Sequence, residues 1–175
     1  MTITINGSGT ITGVSAGGLP SGTVTQATLA TPVAGTGPAF SAYLAANQSL
    51  TASTFTKVTI NTEEFDTASC FNNTGSTVGG IPAYAFLPNV AGYYQVNGLA
   101  YPATTVTAIT CAIYKNGTSF KAGWGTSTSG VVSALIYLNG STDYIECYSY
   151  LTGVTPSLSG NSSLTFFQAS LVRSA

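Results

Sequence analysis

The chain has 175 residues, of which 5% are charged and 11% aromatic, and its formal net charge is −1. This length suits one domain with a short appendage. With so few lysines and arginines there is no basic surface of the kind that binds nucleic acid or an anionic membrane, so we expect neither partner. The aromatic content argues against disorder, and no apolar run approaches the roughly 20 residues of a membrane-spanning helix.

Three cysteines and the absence of histidine limit the chemistry that the chain can perform. Cys70, Cys111 and Cys147 are odd in number and lack the spacing of metal ligands, and histidine is a common zinc ligand. We interpret them as small buried thiols, with a disulfide as the alternative. We expect no cofactor and no metal, because a calcium site needs several oxygen ligands and carboxylates are scarce here.

Two short patterns are reminiscent of enzymes, and we interpret neither as an active site. The segment Gly13–Gly17, GVSAG, fits the G-x-S-x-G pattern of serine hydrolases, but no histidine is available to accept the serine proton. Glu63, Glu64 and Asp66 form an acidic cluster, which we interpret as solvated loop charge rather than as the carboxylate pair of a glycosidase. We therefore expect no enzymatic activity.

Residues 1–37 differ in style from the rest of the chain. They alternate weakly between Thr and Ile and are repeatedly interrupted by glycine, so they cannot build a core of their own. The start, MTITINGSG, has neither a basic beginning nor an apolar run, and we expect no secretory signal and synthesis in a cytoplasm. The run Gly18–Val33, GLPSGTVTQATLATPV, resembles connector segments of phage fibre proteins, while a plain flexible leader is the alternative.

From Pro38 onward, short aromatic and β-branched runs between turn residues predict an all-β sandwich. No stretch combines helical periodicity with a cap, so helix content should be very low. Asn116-Gly117 and Asn139-Gly140 accept positive φ and predict two hairpin-like connections. The predicted strands are Ala39–Leu44, Phe55–Ile60, Ala83–Phe86, Tyr93–Tyr101, Thr107–Tyr114, Val131–Leu138, Tyr144–Leu151 and Leu164–Val172.

Period-two alternation predicts which strand faces are buried. In Tyr144–Leu151 it separates a small and aliphatic side from a side of large tyrosines, and such amphipathic rings suit a surface buried against another subunit. The last predicted strand, Leu164–Val172, has apolar residues on both faces, which predicts cover by the second sheet and by a partner chain. The residues predicted to contact another subunit are Tyr144, Tyr148, Tyr150 and Phe166.

Several segments occur in an order that resembles a known family. They are PAFSAYL (38–44), FNNTG (71–75), YAFLPNVAGYYQVNG (84–98), IYKNG (113–117), ALIYLNGSTDYIECYSY (134–150) and FFQASLV (166–172). Together they resemble the complement-one-q-type globular head, a relative of tumour necrosis factor, over residues 38–173. The resemblance implies a jelly-roll sandwich of about ten antiparallel strands, assembled as a homotrimer. Its implied core residues are Tyr94, Val96, Ile145, Phe167 and Leu171.

The segment between Gly75 and Tyr84, STVGGIPA, departs from the family pattern and looks like an insertion. The chain also lacks the Gly-X-Y repeats of a collagen-like stalk. In place of a stalk it has residues 1–37, which we expect to attach to other virion proteins, and residues 38–175 are expected to form the jelly-roll head.

With its phage-like connector, the chain resembles a non-enzymatic structural or adhesive protein of a bacteriophage virion. The expected function is a short trimeric tail fibre or fibre tip that binds a host-surface glycan or protein. A capsid head fibre or decoration protein with the same trimeric knob is one alternative. A secreted ligand of the complement or cytokine type is another.

Trp124 is the one tryptophan of the chain, and it lies between glycines in a predicted loop. A flat exposed ring can stack on a sugar, because it offers a large apolar contact at low entropic cost. We therefore expect Trp124 and Tyr101 to be candidate receptor or glycan contacts. The alternative is that Trp124 packs into the sandwich or against another subunit.

Overall fold

The computed structural model describes residues 37–175, in which every regular element is a β-strand. All strand pairs are antiparallel, which confirms the predicted all-β class. The predicted connector at Gly18–Val33 and the GVSAG motif lie outside the described residues. The strands are β1 (Ala39–Tyr43), β2 (Gln48–Ser49), β3 (Thr56–Lys57), β4 (Thr62–Asp66), β5 (Phe71–Asn72), β6 (Ala85–Phe86), β7 (Gly92–Ala100), β8 (Ala108–Lys115), β9 (Thr118–Gly125), β10 (Gly130–Leu138), β11 (Ile145–Thr152), β12 (Ser157–Leu158) and β13 (Phe166–Ser174).

Two main sheets enclose the core. One has five strands in the order β10-β7-β13-β1-β4, and the other has the order β5-β6-β11-β8-β9, with β3 also paired to β11. A short ribbon joins β12 to β2. Since consecutive strands repeatedly lie in different sheets, the connections cross from one sheet to the other, as in a jelly roll.

Strict alternation along the long strands fills the space between the sheets. In β7 the inward positions are buried and the outward ones are half-buried or exposed, so Tyr94 and Val96 enter the core while Tyr93 does not. Ile145 and Phe167 are fully buried in the same core, and Leu171 is half-buried and packs against it. Phe40 packs against Phe71, Phe86 and Phe167 with ring centroids 4.5, 4.6 and 5.6 Å away.

The first predicted hairpin is confirmed. Strands β8 and β9 pair directly, and the turn between them has positive φ at both central residues, 52° at Asn116 and 75° at Gly117. This mirror-image turn matches the twist of the flanking strands, and Asn-Gly is its preferred sequence.

The second predicted hairpin, from β10 to β11, is wrong. Strand β10 pairs with β7 in one sheet and β11 pairs with β8 in the other. The Asn139 side-chain carbonyl accepts hydrogen bonds from the backbone N–H groups of Ser141, Thr142 and Asp143, at 2.9 to 3.1 Å. Gly140 has the predicted positive φ, 73°, whereas Asn139 does not, and the turn belongs to a longer loop that crosses between sheets rather than to a two-residue reversal.

The acidic cluster lies on a strand, and its interpretation as a loop is wrong. Residues Thr62–Asp66 form β4, which pairs with β1 at the edge of the five-stranded sheet. Acidic residues lower β-propensity, so the sequence pattern was weak. Charge is nevertheless suited to an edge strand, where it discourages pairing with a further chain.

The apparent insertion forms a compact turn. Val78 and Ile81 bridge across Gly79 and Gly80, both with positive φ. The buried Asn72 amide donates hydrogen bonds to the carbonyls of Ser76, Ile81 and Pro82 at 2.7, 2.9 and 3.1 Å. One side chain thus fixes both ends of this segment.

The three cysteines are buried free thiols, as interpreted from the sequence. The Sγ atoms of Cys111 and Cys147 lie 3.8 Å apart between the sheets.

Candidate functional site

The outer face of the six-stranded sheet carries a cluster of aromatic side chains, which we call the aromatic platform. Tyr114 stacks on Tyr148 with ring centroids 3.8 Å apart. Phe55 joins this pair to Tyr150 and Trp124, at centroid distances of 6.1 Å to Tyr114, 5.2 Å to Tyr150 and 6.3 Å to Trp124. Trp124 and Tyr150 are themselves 5.9 Å apart. The platform consists of Phe55, Tyr114, Trp124, Tyr148 and Tyr150.

Cross-strand register explains why residues so distant in sequence meet. Tyr150 of β11 and Trp124 of β9 both lie opposite Thr110 of β8, so the two rings flank one small residue. In the next row on the same face, Ala112 lies between Tyr148 and Ala122. Thr110 and Ala112 are fully buried although they point away from the core, because the large neighbouring side chains cover them.

Trp124 is a strand residue, so its predicted loop position is wrong. It lies near the end of β9, the edge strand of its sheet, and 68% of its surface is exposed. Among residues 37–175 no strand lies beyond β9 in this sheet, and Phe55 contacts the indole edge-on at an interplanar angle of 83°. Within this chain Trp124 therefore does not pack into the sandwich.

Polar groups lie next to the aromatic rings of the platform at two positions. The Thr110 hydroxyl is buried and has no hydrogen-bond partner in the part of the chain that the structure describes. At the other end, the buried Glu146 carboxylate forms an ion pair with Lys57. Partial burial and then the Glu146 charge raise the pKa of the Tyr148 hydroxyl, so this group stays a neutral donor at physiological pH.

The remaining residues predicted from the sequence lie elsewhere. Tyr101 follows β7 of the five-stranded sheet, is 38% exposed, and makes no ring contact with the platform. Tyr144 precedes β11, and its backbone N–H donates to the Asn116 side chain at 2.9 Å. Phe166 begins β13 in the five-stranded sheet. The predicted subunit contacts are thus divided between the two sheets, with Tyr148 and Tyr150 on the platform.

The outer face of the five-stranded sheet, which we call the sheet face, was not singled out from the sequence. Three of the four exposed outward side chains of β10, those of Val131, Leu135 and Tyr137, are large, and Leu135 and Val131 are 55% and 61% exposed. Tyr137 meets Tyr93 across the strands with ring centroids 5.6 Å apart. An open depression of about 320 Å³ is lined by Tyr93, Leu135, Val172 and Arg173. The period-two alternation of Gly130–Leu138 is the sequence pattern that indicates this exposed apolar surface.

A polar group lies at the centre of the sheet face. The Gln95 side-chain amide donates to the Ser133 hydroxyl at 2.9 Å and to Asn97 Oδ1 at 3.3 Å, and the Ser133 hydroxyl donates to Asn97 Oδ1 at 2.9 Å. Gln168 pairs with Asn97 on the adjacent strand. The sheet face is therefore apolar at its ends and uncharged at its centre.

Four of the five side-chain carboxylates, those of Glu64, Asp66, Asp143 and Glu146, are engaged in hydrogen bonds or ion pairs. Asp66 accepts hydrogen bonds from the backbone N–H groups of Ala68 and Phe71, and the Ser41 hydroxyl donates a side-chain hydrogen bond to Glu64. Partial burial and the Asp66 charge raise the pKa of Glu63. On the other sheet Asp143 and Glu146 each bind a lysine. No group of three or more potential metal ligands occurs in this part of the chain.

Because the described residues contain no helix, they also contain none that could cross a membrane.

Comparisons with known proteins bear on the fold. No family model and no curated protein matches the sequence. Among solved structures, murine APRIL is similar with a TM-score of 0.58 at 11% identity, covering 77% of this chain and 98% of that one. Eiger TNF from S. frugiperda has a TM-score of 0.58 at 10% identity, with coverage of 79% and 92%. The PRD1 vertex protein P5 has a TM-score of 0.57 at 17% identity, with coverage of 79% and 99%.

These similarities extend over nearly the whole of each matched chain, while the identities are too low to carry a function. They agree with the strand order, the two facing sheets and the crossing connections described above. Residues 37–175 have the jelly-roll fold shared by tumour-necrosis-factor-like heads and by the vertex protein of phage PRD1.

Proposed function

We propose that this chain is a non-enzymatic protein of a bacteriophage virion, a short trimeric tail fibre or fibre tip that contacts the host surface. The observation that carries the proposal is the sheet face. Its large apolar side chains are exposed in the single chain, and contiguous exposed apolar surface of this kind marks a protein interface. The sheet face supports assembly of identical chains, and three-fold assembly would multiply weak receptor contacts.

The sheet face has the composition of a subunit interface. Aromatic residues are enriched at such interfaces and charged residues are depleted at their centres. Tyr93, Tyr137 and Leu135 supply the apolar part, and the uncharged Gln95–Ser133–Asn97 network supplies hydrogen-bonding groups at the centre. Of the subunit contacts predicted from the sequence, Phe166 lies in the same sheet, whereas Tyr148 and Tyr150 belong to the platform on the opposite side.

The virion assignment rests on two further observations. The similarity to the PRD1 vertex protein spans 99% of that chain. The run Gly18–Val33 resembles phage fibre connectors, so we propose that residues 1–37 join the head to other virion proteins and that residues 38–175 form the head.

The PRD1 similarity also favours one second candidate. Because that protein is described as a vertex protein, a head fibre or capsid decoration protein with the same knob is the alternative placement. A secreted ligand resembling APRIL or Eiger TNF has only the shared fold in its favour, at 10 to 11% identity.

Labelled antibody against the purified chain distinguishes these placements on intact phage particles. We expect label at the tail. Uniform label over the capsid would favour the decoration alternative, and particles without label would contradict the virion assignment. Release of soluble fragments from host polysaccharide by the purified protein would contradict the non-enzymatic assignment.

A further inference from the structure

We propose that the aromatic platform is a binding site for a neutral saccharide, with one sugar ring stacked on the exposed face of Trp124. This inference rests on the proposed function, because it gives the host-surface contact a chemical class and a location. The sequence alone indicates Trp124 only as an isolated loop residue, with Tyr101 as a second candidate contact. The structure instead combines Trp124 with Phe55 and Tyr150.

The first argument is the pre-organisation of the indole. Trp124 is held in the β8–β9 hairpin, where Phe55 contacts it edge-on and Tyr150 contacts it at a tilt of 58°, with ring centroids 6.3 and 5.9 Å away. A ring that is already fixed loses little conformational entropy when a ligand binds. Its 68% exposure leaves a broad apolar surface for the C–H face of a sugar.

The second argument is charge. The two cross-strand rows around Trp124, Tyr150–Thr110–Trp124 and Tyr148–Ala112–Ala122, contain no charged residue. In the third row Tyr114 lies opposite Glu146, whose charge is bound by Lys57. An anionic polysaccharide would require free cations to replace its hydration. Lys121 of β9 lies over the Phe120 ring, 5.5 Å from its centroid, and no member of the platform is cationic, so the platform suits an uncharged ligand.

The third argument is the presence of hydrogen-bonding groups among the rings. Thr110, between Tyr150 and Trp124, has a buried hydroxyl with no hydrogen-bond partner among residues 37–175. A buried polar group without a partner is costly, and a ligand hydroxyl that reached this position between the rings would remove that cost. The Tyr148 hydroxyl is a neutral donor at physiological pH because burial raises its pKa. Flat apolar surface combined with hydroxyl groups matches the two faces of a sugar.

The fourth argument concerns what else could cover the platform. The sheet face and the platform belong to opposite sheets of the sandwich. Subunit contact through the sheet face would leave Trp124 available to an external ligand. A second copy of the chain is therefore the weaker candidate for the platform.

Intrinsic fluorescence provides a site-specific test, because the full-length chain contains one tryptophan. The full-length protein would be titrated with tri- to hexasaccharides of glucose, galactose, mannose and N-acetylglucosamine, and with a heparin hexasaccharide as the anionic probe. We expect at least one neutral oligosaccharide to change the emission of Trp124 saturably. No response to any neutral probe, or a response to heparin alone, would overturn the proposal.

Variants locate the binding. Calorimetry with the responding oligosaccharide should show roughly tenfold weaker binding for Trp124→Ala, and a smaller loss for Trp124→Phe, which keeps a stacking ring. Tyr101→Ala is the matched control and should bind like the parent, since Tyr101 is exposed but outside the platform. Unchanged affinity of Trp124→Ala, or equal loss in Tyr101→Ala, would overturn the assignment.

Light scattering on the same samples separates this inference from the proposed assembly. The platform is complete within one chain, so a monomer that still binds the oligosaccharide would contradict the trimer and leave the saccharide site supported. A trimer without binding would contradict only the saccharide site.

Discussion

Lys57 of β3 and Glu146 of β11 form an ion pair at the margin of the aromatic platform. The Glu146 side chain is 3% exposed and the Lys57 side chain 28%, so the carboxylate is the buried partner. One carboxylate oxygen of Glu146 has no hydrogen-bond partner among the described residues, and the Lys57 ammonium also donates to the Ala83 carbonyl at 3.2 Å. Lys57 is therefore the group that makes a buried charge tolerable.

Removing the lysine should cost more stability than neutralising the acid. Lys57→Ala leaves the Glu146 carboxylate buried without a cation, and we expect the free energy of unfolding to fall by roughly 3–5 kcal/mol. Glu146→Gln leaves a lysine that can still reach water, so its cost should be smaller. Urea unfolding measures both. Lys121→Ala, an exposed lysine of β9, is the control and should change stability by less than about 0.5 kcal/mol. A larger loss in Glu146→Gln than in Lys57→Ala would contradict this account.

The carboxylate of Asp143 should make stability depend on acidic pH. Burial alone would raise its pKa, but hydrogen bonds from Lys115 and Asn116, the Lys115 charge and the Asn139 backbone N–H together hold that pKa below its ordinary value. A depressed pKa in the folded state stabilises the protein above the unfolded-state pKa of about 3.9, and this contribution disappears as the pH falls through the folded-state value. We expect Asp143→Asn to be less stable than the parent at pH 7, and the difference to shrink below about pH 4. A difference independent of pH would contradict the assignment.

Tyr94 of β7 makes a hydrogen bond from the core side of its strand. It is fully buried, and its hydroxyl donates to the Val90 carbonyl at 2.7 Å. Burial raises the pKa of this phenol far above its ordinary value, so it remains a donor throughout the working pH range. Tyr94→Phe should lower the free energy of unfolding by about 0.5–1.5 kcal/mol, because the hydrogen bond to the carbonyl of the half-buried Val90 is lost. Tyr101→Phe removes an exposed hydroxyl and should have no measurable effect in the same denaturant experiment.

The sheet face predicts a mutation that separates subunits. Leu135→Glu places a charge on an exposed position, so the fold should survive, but burial of that charge between chains is costly. We expect this variant to have the molecular mass of a monomer and a circular dichroism spectrum like that of the parent. Val154→Glu introduces the same charge at a residue that is 96% exposed outside the sheet face, and should leave the assembly unchanged. Equal masses for the two variants would exclude the sheet face as the interface.

The core of this protein could be predicted from the sequence because it depends on period-two alternation. Val96 and Phe167 are fully buried, as their patterns indicate. The sequence does not predict the strand Thr62–Asp66, because its charged residues obscure the β pattern. A strand at the edge of a sheet tolerates such charges. The β10–β11 connection was misread because Asn-Gly specifies a turn and not which strands pair across it.

The candidate sites were harder to predict, since they depend on register between strands. Tyr150 and Trp124 meet only because both lie opposite Thr110, and nothing local in the sequence fixes that pairing. Phe55, the residue that joins the platform, lies outside any regular strand and has no periodic pattern of its own. Predicting the sheet face likewise requires the register of β10 with β7, which places the exposed alternate residues of one strand beside those of the other.

The mass of the full-length chain in solution, measured by multi-angle light scattering, tests the central claim most directly. A trimeric jelly-roll protein of the virion should have a mass three times that of the 17.7 kDa chain, independent of dilution over the micromolar range. A mass of 17.7 kDa at all concentrations would contradict the account, because the sheet face would then be an exposed surface without the partner that the proposed function requires.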